Sequence, residues 1–205
     1  ATGYGCTVVN AAANNSAGLG GRGLRYYRGP AIQQNGGAPA LNFSPAVSEL
    51  WLRWYARWET GFAWPTAGSP GINKEWYFNP SQSNFCIVSY NGANWATLCT
   101  TTLGGTQNFV SDATFNFING GSNTGSGNFR CMEVHLKADT NGSNGVVEMW
   151  VDGTRYENTT NGNLGMMTFN KAAFSTNNGN TANADAMYQD FDDVAVSFTQ
   201  QIGCF

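Results

Sequence analysis

The sequence predicts an all-β chain, an antiparallel two-sheet β-sandwich, on three observations. Apolar and polar residues alternate with period two in several runs of five to eleven residues, the signature of strands with two unlike faces. These runs are separated by stretches rich in Gly, Asn, Ser and Thr, the chemistry of turns. No stretch carries a sustained helical period. Of 205 residues, 41% are hydrophobic and 14% aromatic, enough for one full core, and 26 are glycine. No linker, repeat or low-complexity boundary divides the chain, so residues 1–205 read as a single domain.

Residues 1–46 are rich in Gly, Asn and Ala, with short strand candidates at Cys6–Val9 and Leu24–Tyr27. Residues 1–20 read as an extended arm that could pair with a neighbour's sheet edge, so self-association is expected. The longest strand candidate is Ser48–Trp58, where aromatic richness and period two favour strand over helix. It places Leu50, Leu52, Trp54, Ala56 and Trp58 on one face and Trp51, Arg53, Tyr55 and Arg57 on the other. After a turn-rich loop, Asn73–Phe78 carries Lys74 and Trp76 on one face. Further strands are expected at Phe85–Tyr90, Trp95–Thr101 and Ala113–Ile118, and a loop at Asn119–Asn128. Cys131–Lys137 and Val146–Gly153 alternate most clearly. Strand-like pieces follow around Met166–Phe169, and Phe191–Phe198 reads as a terminal strand.

Composition excludes several function classes. With 10 Lys and Arg against 13 Asp and Glu, the net charge is −3, and no basic patch is concentrated enough for nucleic acid. No run reaches the ~18 apolar residues of a membrane-spanning helix, so no membrane insertion is expected. The chain starts at Ala1 without Met, as a secreted protein would after removal of its signal peptide. The five cysteines form no C-x-x-C pair and one histidine is too few for most zinc sites, so disulfides are expected and no metal ligand set is assigned. Cys6 and Cys204 could close the chain end to end, and Cys86 and Cys99 could staple a hairpin around Asn91-Gly92. Cys131 is then left as a buried thiol or an intermolecular bridge. Spacing does not fix connectivity, and other pairings stay open.

The candidate site follows from the alternation. Met132, Val134 and Leu136 point one way; Glu133, His135 and Lys137 point the other. In the next strand Glu148 and Trp150 share a face. Only 11% of the chain is charged and His135 is its only histidine, so collecting acid, imidazole and ammonium on one sheet face describes the floor of a polar site. No cofactor is required. Asp190, Asp192 and Asp193 are the carboxylates that could hold a structural calcium.

The blocks SELWLRWYARWETGFAW…NKEWYF, CMEVHLKADTNGSNGVVEMWVDGTRY and DFDDVAVS resemble the concanavalin A-like jelly-roll domains of bacterial polysaccharide lyases and related secreted proteins. The resemblance implies two curved antiparallel sheets with sugar chains bound across the concave one. Arg53, Tyr55 and Arg57 would share that face with Glu133, His135, Lys137, Glu148 and Trp150, joined by Lys74 and Trp76. In a polysaccharide lyase-like reaction Arg53 or Arg57 would neutralise a uronate carboxylate, His135 would remove the C5 proton, and Tyr55 or Tyr188 would act as acid or second base. The Gln-x-His and Tyr-x-Lys strand motifs of the alginate-lyase branch are absent, as is the Glu-x-Asp-x-x-Glu carboxylate pattern of the hydrolases that share the fold. The expected function is carbohydrate binding: a secreted, extracellular domain recognising a uronate-containing polysaccharide, with or without cleavage by β-elimination. The alternative is a non-catalytic structural or adhesive extracellular subunit of a filament, appendage or surface layer.

Overall fold

The computed structural model describes residues 6–14, 21–28, 39–62, 71–78, 84–91, 94–100, 107–111, 125–162, 168–174 and 187–205. Within them the strands are β1 (Cys6–Val9), β2 (Gly23–Arg28), β3 (Ala40–Val47), β4 (Glu49–Trp58), β5 (Gly71–Phe78), β6 (Asn84–Asn91) and β7 (Asn94–Thr100). They continue with β8 (Gln107–Ser111), β9 (Arg130–Lys137), β10 (Gly145–Val151), β11 (Thr154–Gly162), β12 (Phe169–Phe174) and β13 (Met187–Ser197). A single 3-10 turn, Asn10–Ala12, follows β1. The strand expected at Ala113–Ile118 lies outside the described residues, as do residues 119–124 of the loop expected at 119–128.

Two antiparallel sheets result. A seven-stranded sheet runs β1-β2-β13-β4-β9-β10-β11, and a six-stranded sheet runs β3-β12-β5-β6-β7-β8. β4, β9 and β13 are neighbours at the centre of the first sheet although far apart in sequence, which is the crossover pattern of a jelly roll. The hairpin between β10 and β11 pairs Val151 with Thr154 across Asp152-Gly153. Both turn residues take positive φ, 48° and 79°. That is the two-residue turn whose twist suits a tight hairpin, and Asp-Gly is a preferred sequence for it.

The alternation read from the sequence decides the faces. Leu50, Leu52, Trp54, Ala56 and Trp58 of β4, Met132, Val134 and Leu136 of β9, and Val147, Met149 and Val151 of β10 are all buried between the sheets. They meet Trp76 and Phe78 of β5 and Phe169, Ala172 and Phe174 of β12 in one core. Trp54 meets Trp76 edge-on at 5.8 Å across the sheets, and Trp76 lies 3.8 Å from Phe174.

This corrects one expected site residue. Trp76 is fully buried in the core and faces the other sheet, not a ligand. Lys74, expected beside it, is on the same β5 strand of the six-stranded sheet, away from the face that carries His135, and its side chain is outside the described residues. Alternation separates two faces of a strand but does not say which sheet the strand joins, and a register shift between Lys74 and Trp76 breaks the alternation locally.

The cysteine pairing is corrected as well. Cys131 is bonded to Cys204, with Cα atoms 5.9 Å apart, so Cys131 is not the odd thiol and Cys6 does not pair with Cys204. The reason is placement across the sheet. Cys6 is on edge strand β1, four strand spacings from β9, roughly 19 Å at about 4.8 Å per spacing. Cys204 belongs to the segment that follows β13 and returns over the outer face of β9, bringing it to Cys131. Cys86 and Cys99 are register partners on β6 and β7. Their side chains and that of Cys6 are outside the described residues.

Candidate functional site

The outer face of the seven-stranded sheet carries the remaining candidates, arranged in rows by strand register. Trp51 of β4 lies opposite His135 of β9, which lies opposite Glu148 of β10. One row along, Arg53 faces Glu133, and Glu133 faces Trp150. Then Tyr55 faces Cys131. At the other end of β4, Arg57 faces Asp190 of β13, which faces Arg25 of β2. Arg53, Tyr55, Arg57, Glu133, His135, Lys137, Glu148 and Trp150 therefore share one surface, as expected from period two. What lies on that surface differs from an open floor.

His135 is clamped. Its Nδ1 is 2.7 Å from Glu148 Oε2 and its Nε2 is 2.8 Å from Glu49 Oε1. Its ring stacks on Trp51, centroids 4.0 Å apart and planes within 4°. Both ring nitrogens therefore lie against glutamate oxygens, one from each neighbouring strand. Neither nitrogen is left open toward a substrate. Glu148 also receives Arg155 NH1 at 2.8 Å, and Lys137 Nζ lies 3.6 Å from Glu49. The Lys137 and Arg155 side chains are 49% and 47% exposed, which makes them the accessible cations of this end of the face.

The centre of the face is covered by the chain itself. β13 ends at Ser197, whose Oγ receives the backbone N–H groups of Thr199 and Gln200, and the chain turns back. Glu133, only 1% exposed, accepts Ile202 N–H at 2.7 Å on one oxygen and Gly203 N–H at 2.9 Å on the other. Tyr55 Oη both receives the Phe205 N–H and donates to the Phe205 carbonyl, each at 2.9 Å. Arg53 is buried beneath, donating to the carbonyls of Asp193 at 3.1 Å and Gly203 at 3.4 Å, with the Phe205 ring 4.3 Å from its guanidinium carbon. The Cys131–Cys204 disulfide fastens this segment to the start of β9.

A third cluster closes the far end. Asp190 is fully buried and is gripped by two arginines. Arg25 donates to its two oxygens at 2.7 and 2.9 Å. Arg57 donates from Nε at 2.9 Å and also from NH2. Arg57 NH2 further reaches the Ala11 carbonyl at 2.6 Å. Tyr188 stacks over Arg25 at 3.6 Å. The hydrogen bonds to Asp190 hold the Arg25 guanidinium well above its ordinary pKa, outweighing the opposing effect of its burial. Beside this cluster, Asn14 donates its backbone N–H to Asp192 and its side-chain amide to Asp193, tying the segment after β1 to β13. The described part of the expected N-terminal arm thus pairs with its own sheet.

The roles written for a lyase are not assembled among the described residues. His135 has both nitrogens engaged, the Tyr55 hydroxyl serves Phe205, and Arg53 and Arg57 are bound to main-chain carbonyls and to Asp190. The aspartates offered for calcium hold arginines and Asn14 instead, and no group of three or more metal-ligating side chains occurs among the described residues. Sequence reasoning missed Glu49, Arg25 and Arg155 as partners, and the segment 198–205 as a cover. The alternation of β4 extended back to Glu49 would have found the first. Nothing local to residues 198–205 points to Glu133, some seventy positions away.

No protein-family model and no curated protein matches the sequence. Among solved structures, the chain is similar to cellulose induced protein Cip1, with TM-score 0.61 and 17% identity over 98% of this chain and 89% of that one. It also superposes on the binding domain of Paraclostridial Mosquitocidal Protein 1, with TM-score 0.54 and 10% identity over 95% of this chain and 42% of that one. The alginate lyase Aly36B superposes with TM-score 0.46 and 14% identity over 85% of this chain and 80% of that one. At these identities the likeness is one of fold. The chain is a two-sheet antiparallel jelly roll of the concanavalin A-like kind, the architecture its strand order describes.

Proposed function

We propose that this protein is a secreted, non-catalytic carbohydrate-binding jelly roll that holds a polysaccharide on the outer face of its seven-stranded sheet. The observation that carries the reading is His135, held between Glu49 and Glu148 and stacked on Trp51. That arrangement makes a rigid aromatic surface rather than a base. Trp51 and Trp150, both half-buried, flank it on neighbouring strands and offer the apolar C–H faces of sugar rings a stacking partner. Around the ring, the cations Lys137 and Arg155 stand beside the carboxylates Glu49 and Glu148. Lys137 and Arg155 are then the groups that meet uronate carboxylates, in place of the buried Arg53 and the committed Arg57. Carbohydrate-related names recur among proteins of this fold, and the disulfide fits an extracellular setting.

Affinity electrophoresis in gels containing neutral or uronate polysaccharides, with ultraviolet detection of unsaturated uronate products, tests the reading. Retardation by a uronate polysaccharide, weakened by salt and without product absorbance, is expected. Product absorbance would restore the lyase. Absence of binding across the panel would leave the structural or adhesive subunit, which size-exclusion chromatography and negative-stain imaging would then reveal as assemblies.

A further inference from the structure

The segment after β13 makes contacts on Arg53, Tyr55 and Glu133 that a sugar would make. Glu133 takes two neighbouring N–H donors, one on each carboxylate oxygen, at 2.7 and 2.9 Å, which is how a carboxylate receives two adjacent hydroxyls of one pyranose. Arg53 donates to two carbonyl oxygens, as it would to ring or carboxylate oxygens. Phe205 lies over Tyr55, centroids 5.2 Å apart, in the place of a stacked sugar ring. We infer that residues 198–205 are a strap occupying a sugar-binding floor of Arg53, Tyr55 and Glu133, latched by the Cys131–Cys204 disulfide.

Two further features separate a strap from a permanent part of the core. The side chains it covers are an arginine and a glutamate, groups that solvent would otherwise hydrate and whose burial is costly unless every hydrogen bond is met. The cover meets them incompletely: Arg53 Nε is buried without a hydrogen-bond partner among the described residues. The strap's apolar side chains are only partly covered: Phe198, edge-on to Phe43, and Phe205, resting on Tyr55, are each 49% exposed, and Ile202 is half-buried. Its attachment is therefore the disulfide, a handful of polar contacts and partly exposed apolar side chains, with no fully buried apolar side chain to hold it once the bond opens.

Opening has a defined chemistry. A thiolate of a dithiol attacks Sγ of the exposed Cys204, and Cys131 leaves as a thiolate and takes up a proton. The second thiol of the reductant then resolves the mixed disulfide. Cys131 and Cys204 end as thiols and the reductant as its disulfide, two electrons and two protons having passed to the protein. Attack is directed to Cys204 because Cys131 is buried against β9.

The ligand assignment rests on the proposal that this face binds carbohydrate, so two readouts are taken on the full chain, wild type and Cys204→Ser. Hydrogen exchange reports the strap. In the variant the amides of Ile202, Gly203 and Phe205 should exchange at least about tenfold faster, while those of β4 and β9 stay protected. Affinity electrophoresis reports the floor. The variant should bind the polysaccharide about tenfold more tightly than wild type, the gain expected when an occupant filling about nine-tenths of the sites is removed. Strap amides that stay protected in the variant overturn the inference and leave the binding proposal standing. Release without a gain in affinity, where wild type binds, does the same. Release with no polysaccharide bound by either form sinks the carbohydrate reading, and the sugar floor with it. Should Cys204→Ser fail to fold, folded wild type treated with a dithiol supplies the same two readouts.

Discussion

Gly203 donates its backbone N–H to Glu133 at 2.9 Å, and this contact joins residues seventy positions apart. It depends on backbone shape as much as on charge. Gly203 sits at φ +77°, a left-handed conformation that a side chain resists even though nothing crowds its α-carbon. Glu133→Gln should cost about 1–3 kcal/mol, because one oxygen acceptor becomes an N–H donor facing an N–H. Gly203→Ala should cost about 1 kcal/mol through φ alone. Urea unfolding at neutral pH measures both. Equal stability of wild type and Glu133→Gln would mean that the carboxylate is solvated and the segment is not docked on it.

His135→Ala should leave no catalytic phenotype and a clear structural one. Removing the ring leaves Glu49 and Glu148 without the hydrogen-bond partner between them and strips Trp51 of its stacking partner. The expected loss is about 2 kcal/mol, below the range for a fully buried pair because both carboxylates keep some contact with water. A double-mutant cycle with Glu148→Gln isolates the cause. The second substitution should be less harmful in the His135→Ala background than in wild type, with a coupling of about 1 kcal/mol. Strict additivity would mean that the ring and the carboxylate contribute to stability independently.

Asp190 should be the most sensitive carboxylate of the outer face. It is fully buried with two guanidiniums on it, so Asp190→Asn leaves a surplus of buried positive charge and should cost about 3–5 kcal/mol. The damage should spread toward the N-terminus, because Arg57 also holds the Ala11 carbonyl. Thermal unfolding gives the magnitude, and faster amide exchange in β1 and β2 gives the location. A loss below about 0.5 kcal/mol would place this pair among ordinary surface ion pairs.

Particular residues show why part of this was legible in the sequence and part was not. Period two in β4, β9 and β10 assigned Leu52, Val134 and Met149 to the core and Arg53, Glu133 and Glu148 to the opposite face, because alternation in a strand is a direct record of which side meets the core. β3, β8 and β11 were missed, and all three are edge strands. In β3 and β11, ALNFSPAV and TRYENTTNG, the strands are half-exposed and polar residues fall on both faces. Trp76 was misassigned because strand order decides whether an apolar face looks at the core or at solvent, and order is a long-range property. The disulfide and the covering segment share that origin. Cys131 and Glu133 meet Cys204 and Gly203 only after β13 has been laid beside β4, which no local pattern encodes.

The last prediction concerns pH and Asp193. Burial, and then the charge of neighbouring Asp192, raise the pKa of this carboxyl above its ordinary value. For an acid, a raised native pKa means that the folded state holds the proton more tightly than the unfolded chain does. The favourable contribution is therefore present in full at low pH. It is lost as pH rises through the unfolded and then the native pKa, leaving a charged, partly desolvated carboxylate at neutrality. Asp193→Asn removes that charge and keeps an oxygen to receive the Asn14 amide, which donates to Asp193 at 2.9 Å. Asparagine also tolerates the positive φ of 48° at this position. The variant should thus melt higher than wild type at neutral pH, and the advantage should shrink toward zero as pH falls below the ordinary carboxylate range. Titration of the other carboxylates is common to both proteins and cancels in the difference. Thermal melts of the two across that pH series are the measurement. A variant that is less stable at neutral pH would mean that attraction to the nearby Arg53 outweighs burial and Asp192.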